Sequence, residues 1–164
     1  MHYSFRFLAP ALLTAVSLFG AHGPAASQVT IPITTAHNVL LLRADPSGNL
    51  NTIYFGEKLA DSGEYKIVTG DAIDLLAAAY TPSGSRNLAE PALSVTHSDG
   101  NRSLDLRYVS HNVTKESADV SLVSINLKDP VYPVEVTLYY KVYDKEDVVE
   151  QWSRIVNREK GNPR

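Results

Sequence analysis

Residues 134–143 read Val-Glu-Val-Thr-Leu-Tyr-Tyr-Lys-Val-Tyr, ten positions of near-perfect apolar/polar alternation. Successive side chains of a β-strand point to opposite faces. This period therefore sets Val134, Val136, Leu138, Tyr140 and Val142 on one face, and Glu135, Thr137, Tyr139, Lys141 and Tyr143 on the other. A strand with one dry face needs a second layer to cover it. The flanking sequence repeats the pattern. Residues 148–157 form the next strand after the acidic turn Asp144-Lys145-Glu146-Asp147, and residues 118–127 form the preceding one. In residues 102–113, Leu104, Leu106 and Tyr108 share one face, with Ser103, Asp105 and Arg107 on the other. That strand is joined to a strand at 92–97 by Ser98-Asp99-Gly100-Asn101, which holds the favoured Asp-Gly hairpin pair. Near the start, strands at 37–44 and 50–55 flank the turn Asp45-Pro46-Ser47-Gly48. Between these blocks, residues 71–79 have the composition of a short helix, and Arg86-Asn87 lies in a polar loop. Many short strands joined by turns predict an all-β fold, an antiparallel β-sandwich.

The first residues set the compartment. Arg6 precedes an almost unbroken apolar run, residues 7–19, followed by small residues up to Ser27. A positive start, a short apolar core and a small-residue exit predict a signal peptide over residues 1–27, with cleavage after Ser27. The run is shorter than the ~20 residues needed to span a bilayer. Residues 28–164 then make one domain, expected to be exported to the periplasm or the extracellular space, with no membrane span. A formal net charge of −3 without a basic patch argues against a nucleic-acid partner. A hydrophobic fraction of 44% excludes disorder. The chain has no cysteine, so disulfides, thiolate metal sites and a lipoprotein anchor are all excluded.

The motifs for chemistry are sparse. After processing, His37, His97 and His111 remain, none at metal-ligand spacing. They read as surface or cross-strand polar residues. Whether His97 and His111 meet across the Asp99-Gly100 turn is open. No Gly-x-Ser-x-Gly elbow and no Gly-rich phosphate loop occur, so no nucleophile, metal or cofactor is implied. The Asp144–Asp147 carboxylates read as a solvated turn rather than as a pair held at fixed separation. Tyr132, Tyr139, Tyr140, Tyr143 and Trp152 read as core or interdomain packing, with a sugar-stacking platform at Tyr139 and Tyr143 as the alternative. Asn101-Arg102-Ser103 and Asn112-Val113-Thr114 are glycosylation sequons that matter only in a eukaryotic host.

Several stretches, in order from about residue 37 to the end, resemble the amino-terminal domain of family-36 glycoside hydrolases, the α-galactosidases. They are Tyr54-Phe55-Gly56-Glu57-Lys58-Leu59, Glu90-Pro91-Ala92-Leu93 with His97-Ser98-Asp99-Gly100-Asn101, and Leu104 to His111 (Leu-Asp-Leu-Arg-Tyr-Val-Ser-His). Leu127-Lys128-Asp129-Pro130-Val131-Tyr132-Pro133, Val136-Thr137-Leu138-Tyr139-Tyr140 and Asp147 to Trp152 continue the series. The resemblance implies a supersandwich-like domain, incomplete in this chain, packed beside a (β/α)₈ barrel. That barrel would hydrolyse terminal α-galactosides of oligosaccharides with retention, using two Asp residues that lie beyond Arg164. On this reading the chain is a fragment with no catalytic residue of its own. The resemblance also implies that the loop between Ala79-Tyr80-Thr81-Pro82-Ser83-Gly84 and Glu90-Pro91 reaches a sugar pocket, often that of a neighbouring subunit in a homo-oligomer. Where the family commonly carries Gly-Asp-Phe-Arg, this chain has Arg86-Asn87-Leu88-Ala89. Asn87 stands at the acidic sugar contact and is the candidate substrate-binding residue. Two other classes stay open: a freestanding carbohydrate-binding sandwich and a purely structural or adhesive module.

Overall fold

In the computed structural model, residues 28–68, 77–84 and 90–161 are described. They build two antiparallel sheets. The first is β1(Val29–Thr34), β2(Asn38–Ala44) and β3(Leu50–Glu57) in sequential order. The second is β4(Arg107–Lys115), β5(Val120–Lys128), β6(Val134–Tyr143) and β7(Val148–Asn157), also in sequential order. The signal-peptide reading of residues 1–27 and the Asn87 assignment fall outside the described residues, as does most of the helix expected at 71–79.

The alternation of β6 does what its sequence dictates. Val134, Val136, Leu138 and Tyr140 are almost wholly buried, together with Ile125 and Leu127 of β5. Ile31 and Ile33 of β1 and Leu42 and Ala44 of β2 face them from the other sheet, closing one apolar layer. Each such side chain removed from water contributes ~1.5–3 kcal/mol. Burial pushes the Tyr140 phenol up to about 12, and Gln151 Nε2 donates to its hydroxyl at 3.4 Å.

Strand β2 is an apolar run rather than an alternating one because both of its faces are covered. Val39 and Leu41 pack on Tyr65 of the 3₁₀ turn Ser62–Lys66, on the far side from the main core. Arg43 is buried on that side. It donates from Nε to Thr30 Oγ1 and from its Nη atoms to the carbonyls of Val68 and Tyr65. A fork of five donors can satisfy several backbone acceptors at once, which ties the 3₁₀ segment to the sheet.

The main core tapers toward the flanks of the second sheet. Val113 of β4 lies opposite buried Val123, yet is 58% exposed. Ile155 of β7 lies opposite buried Val136, yet is 46% exposed.

Three sequence expectations need correction. Val29–Thr34 is a strand although the reading began near residue 37. Pro32 masks it, and β1 is an edge strand, where a missing N–H is tolerated. No regular strand forms at 92–97. The only pairing there is the single parallel bridge Pro82↔Leu93, although Leu93 and Val95 do pack on the core. The strand expected from 102 starts at Arg107 and is interrupted by a bulge between Tyr108 and Ser110. At the end of the expected helix, Ala78 bridges Asn51.

Truncating the core makes the difference between layer and flank measurable. Leu138→Ala should lower unfolding free energy by ~2–5 kcal/mol, whereas Ile155→Ala should cost no more than ~1 kcal/mol. Urea denaturation of the two variants beside the parent checks both values.

Candidate functional site

One end of the sandwich gathers the turn after β2, segment 77–84, residues 90–106 and the turn after β5. Segment 77–84 and residues 90–95 are the two stems of the loop that contains Asn87. Their backbones are tied to each other and to the sandwich. Ser83 N donates to Leu93 O at 2.9 Å, Ala92 N to Thr81 O at 2.8 Å, and Leu104 N to Ser83 O at 3.0 Å. Ser83 Oγ adds a bond to Arg102 O. Gly84 has φ +75°, and a Cβ there would sit 2.7 Å from the Cα of Ser103. Only glycine accepts both the left-handed backbone and this close approach. The base of the loop is thus rigid.

Beside this base opens a groove of about 730 Å³, lined among others by Asp45, Asn49, Tyr80, Asn101, Arg107 and Tyr132. Its charged side chains are engaged. The Asp45 carboxylate accepts from the amides of Ser47 and Asn49. Arg107 donates from Nε and Nη2 to Asp105, and from Nη1 to Ser47 O and Asn49 Oδ1, all within 2.8 Å. Asp129, buried at the rear, accepts from the amides of Asp105, Val131 and Tyr132. Such a groove offers hydrogen bonds to neutral polar groups. Among the described lining residues, the carboxylates of Asp45, Asp105 and Asp129 are each engaged by backbone amides or by Arg107.

His97 corrects the surface reading given to the histidines. Its side chain is fully buried and stacks on Tyr132, ring centroids 3.5 Å apart and 8° from parallel. Nδ1 faces the Glu159 carboxylate, and Nε2 lies 3.0 Å from Ser103 O. The other Glu159 oxygen accepts from Ser98 N at 2.9 Å. The bond from His97, reinforced by the Ser98 amide, holds the Glu159 carboxyl below the usual range. Asp99 is also held low, by the Asn101 amide first and then by the Tyr132 hydroxyl. Glu159 escaped sequence reasoning because it stands 62 positions from His97 and carries no local motif.

The other candidates disperse. His111 accompanies Tyr108 rather than His97, ring nitrogen to hydroxyl at 2.7 Å. His37 is exposed as expected, but its amide and ring bind Asp147. That contact raises the His37 pKa and holds Asp147 well below the usual carboxylate range. Residues 144–147 do form a turn, now seen clasping the turn between β1 and β2. Among the aromatics, Tyr140 is core and Tyr132 belongs to the His97 cluster. Tyr139 stacks on Trp152 at 5.1 Å on the outer face, so one side of its ring is occupied. Tyr143 donates its hydroxyl to Glu150. Among the described residues, no group of three His, Asp or Glu is placed to hold a metal ion, and no helix is long and apolar enough to cross a membrane.

These features define an antiparallel β-sandwich domain with one braced end. Residues 48–164 match the family described as the glycosyl hydrolase family 36 N-terminal domain, and the chain belongs to that family. It is 26% identical, over an aligned span of 152 residues, to the bifunctional α-galactosidase/sucrose kinase AgaSK of Mediterraneibacter gnavus, covering 75% of this chain and 16% of that protein. The galactosidase domain of AgaSK superposes with a TM-score of 0.68 at 24% identity, over 86% of this chain and 23% of its own. The family-36 α-galactosidase AgaB of Geobacillus stearothermophilus gives 0.67 at 23% identity, over 84% and 22%. The α-galactosidase of Lactobacillus brevis gives 0.68 at 16% identity, over 83% and 22%. At these identities the solved structures establish the shared fold. The chain spans less than a quarter of the length of each of these proteins.

Because Glu159 is depressed in the folded state, its stabilising contribution is complete above the ordinary carboxyl value of ~4.3. It is lost as pH falls through the lower folded value. Glu159→Gln removes that dependence. The melting-temperature gap between the parent and this variant should therefore shrink on acidification below about pH 4, read by thermal unfolding across a pH series.

Proposed function

We propose that this sandwich is the leading domain of an exported α-galactosidase, structural in its own right and lining the sugar pocket through the loop that carries Asn87. The match of residues 48–164 to the family's N-terminal domain carries the reading. The name α-galactosidase attached to AgaSK and to the solved neighbours supports it. Hydrolysis would belong to two Asp residues of a (β/α)₈ barrel against which the sandwich packs. The acidic side chains lining the groove support this division of labour, since they are spent on backbone amides and on Arg107. An amide at position 87 can both donate to and accept from a sugar hydroxyl. Its loop would serve the pocket of its own subunit or that of a neighbour in a homo-oligomer. The leader at residues 1–27 would direct the protein out of the cytoplasm.

The purified chain should not hydrolyse an aryl α-galactoside. Joined in frame to a catalytic barrel of the family, Asn87→Ala should raise KM about tenfold, the effect of losing ~1.4 kcal/mol of hydrogen bonding. Turnover by the chain alone, or an unchanged KM, overturns the corresponding half of the proposal. In a secreting host the mature protein should begin at Gln28, as read by intact mass, and a mature protein that retains residues 1–27 overturns the export reading.

A further inference from the structure

We infer that His97 is a positioning residue, a doubly protonated bridge that fixes the stems of the 85–89 loop relative to the chain leaving β7. The geometry of its two bonds decides the protonation. A backbone carbonyl can only accept, so Nε2 must carry a proton to bond Ser103 O. An ionised carboxylate also only accepts, so Nδ1 must carry one to bond Glu159. Glu159 is in its ionised form, its carboxyl being held below the usual range by the contact with His97 and by the Ser98 amide. Among the described residues, Tyr132 stacks on the ring, and the Asp99 carboxylate takes the Tyr132 hydroxyl. Asp99 adds negative charge on the same side. With an acceptor at each ring nitrogen, the geometry makes the ring a donor on both sides, paired with Glu159.

The bridge runs between two places of consequence. On one side, Glu159 and Gly161 belong to the segment that follows β7, and a Cβ on Gly161 would meet Ser98 Cβ at 3.0 Å. On the other, Ser103 is the residue against which Gly84 is wedged, and the next amide, Leu104 N, holds Ser83 O. Four consecutive contacts therefore link the exit of β7 to the loop stem: Glu159 to His97, His97 to Ser103, Ser103 to Gly84, and Leu104 to Ser83. A shift of the exit segment would reach the loop base through rigid, hydrogen-bonded groups rather than through a flexible surface. The value of this to a sugar pocket rests on the loop reading given above, but the protonation and the coupling do not.

The chain labelled with ¹⁵N-histidine tests the inference at neutral pH, the His97 ring being assigned by its loss in His97→Gln. Both ring nitrogens of His97 should resonate as protonated in the parent protein. In Glu159→Gln the amide group can donate to Nδ1 while its oxygen keeps the Ser98 amide, so the fold is retained and the ring should become neutral with its proton on Nε2. A neutral ring in the parent, or a ring still doubly protonated in Glu159→Gln, overturns the bridge. Hydrogen exchange tests the coupling. His97→Ala should speed exchange at the Leu104 amide about tenfold or more while amides of β2 keep their rates. Unchanged exchange at Leu104 overturns the positioning role. None of these readouts uses a sugar, so they stand or fall separately from the role of Asn87.

Discussion

The inward face of β6 is the constraint on which the rest depends. Its five apolar side chains are the floor onto which β1 and β2 close, and its register is continuous over all ten residues with β7 and over nine, Glu135 to Tyr143, with β5. Side-chain period in a strand is two, so a slip of one residue would turn Glu135, Thr137 and Lys141 into the core. The same slip would expose Leu138 and Tyr140. Pairing and burial therefore enforce each other, and the second sheet has one register available to it. The first sheet then has to supply a matching apolar surface, which it does with Ile31, Ile33, Leu42 and Ala44.

Away from that layer, the molecule uses its acidic residues as loop staples. Asp45, Asp61, Asp99, Asp129, Asp147 and Glu159 each accept at least one backbone amide. Charge-assisted bonds to amides are stronger than neutral ones, and they suit turns that leave backbone donors without a ladder partner. This explains how the described acidic residues at the groove are held in structural bonds. Asp45, Asp99, Asp129 and Glu159 are consumed in bracing the end of the sandwich beside the groove, and Asp61 and Asp147 in fixing turns elsewhere. A braced end is what a domain needs if it is to offer a contact to a pocket built elsewhere.

The regular strands were legible because they bury one face. Residues 134–143, 120–128 and 148–157 lie within two residues of where alternation or apolar content placed them. At 92–97 the expected strand is an extended segment whose Leu93 and Val95 pack on the core without a ladder. An extended segment packed on a core has the same inside–outside rhythm as a strand, and only a hydrogen-bonded neighbour distinguishes the two. The edge strand β1 was hidden by Pro32, whose cost depends on whether its side of the strand is paired.

Composition and order of motifs determined by themselves that this is a cysteine-free, all-β sandwich and that its motif series is that of the family-36 amino-terminal domain. These follow from local rules: period, turn chemistry and short linear patterns. The tertiary structure alone decided that His97 is buried against Glu159, that Asp147 clasps His37, and that Gly84 is wedged on Ser103. Each of those pairs joins residues far apart in the chain. Contacts of that kind exist only once the two sheets have closed, because they are consequences of packing rather than of any local preference.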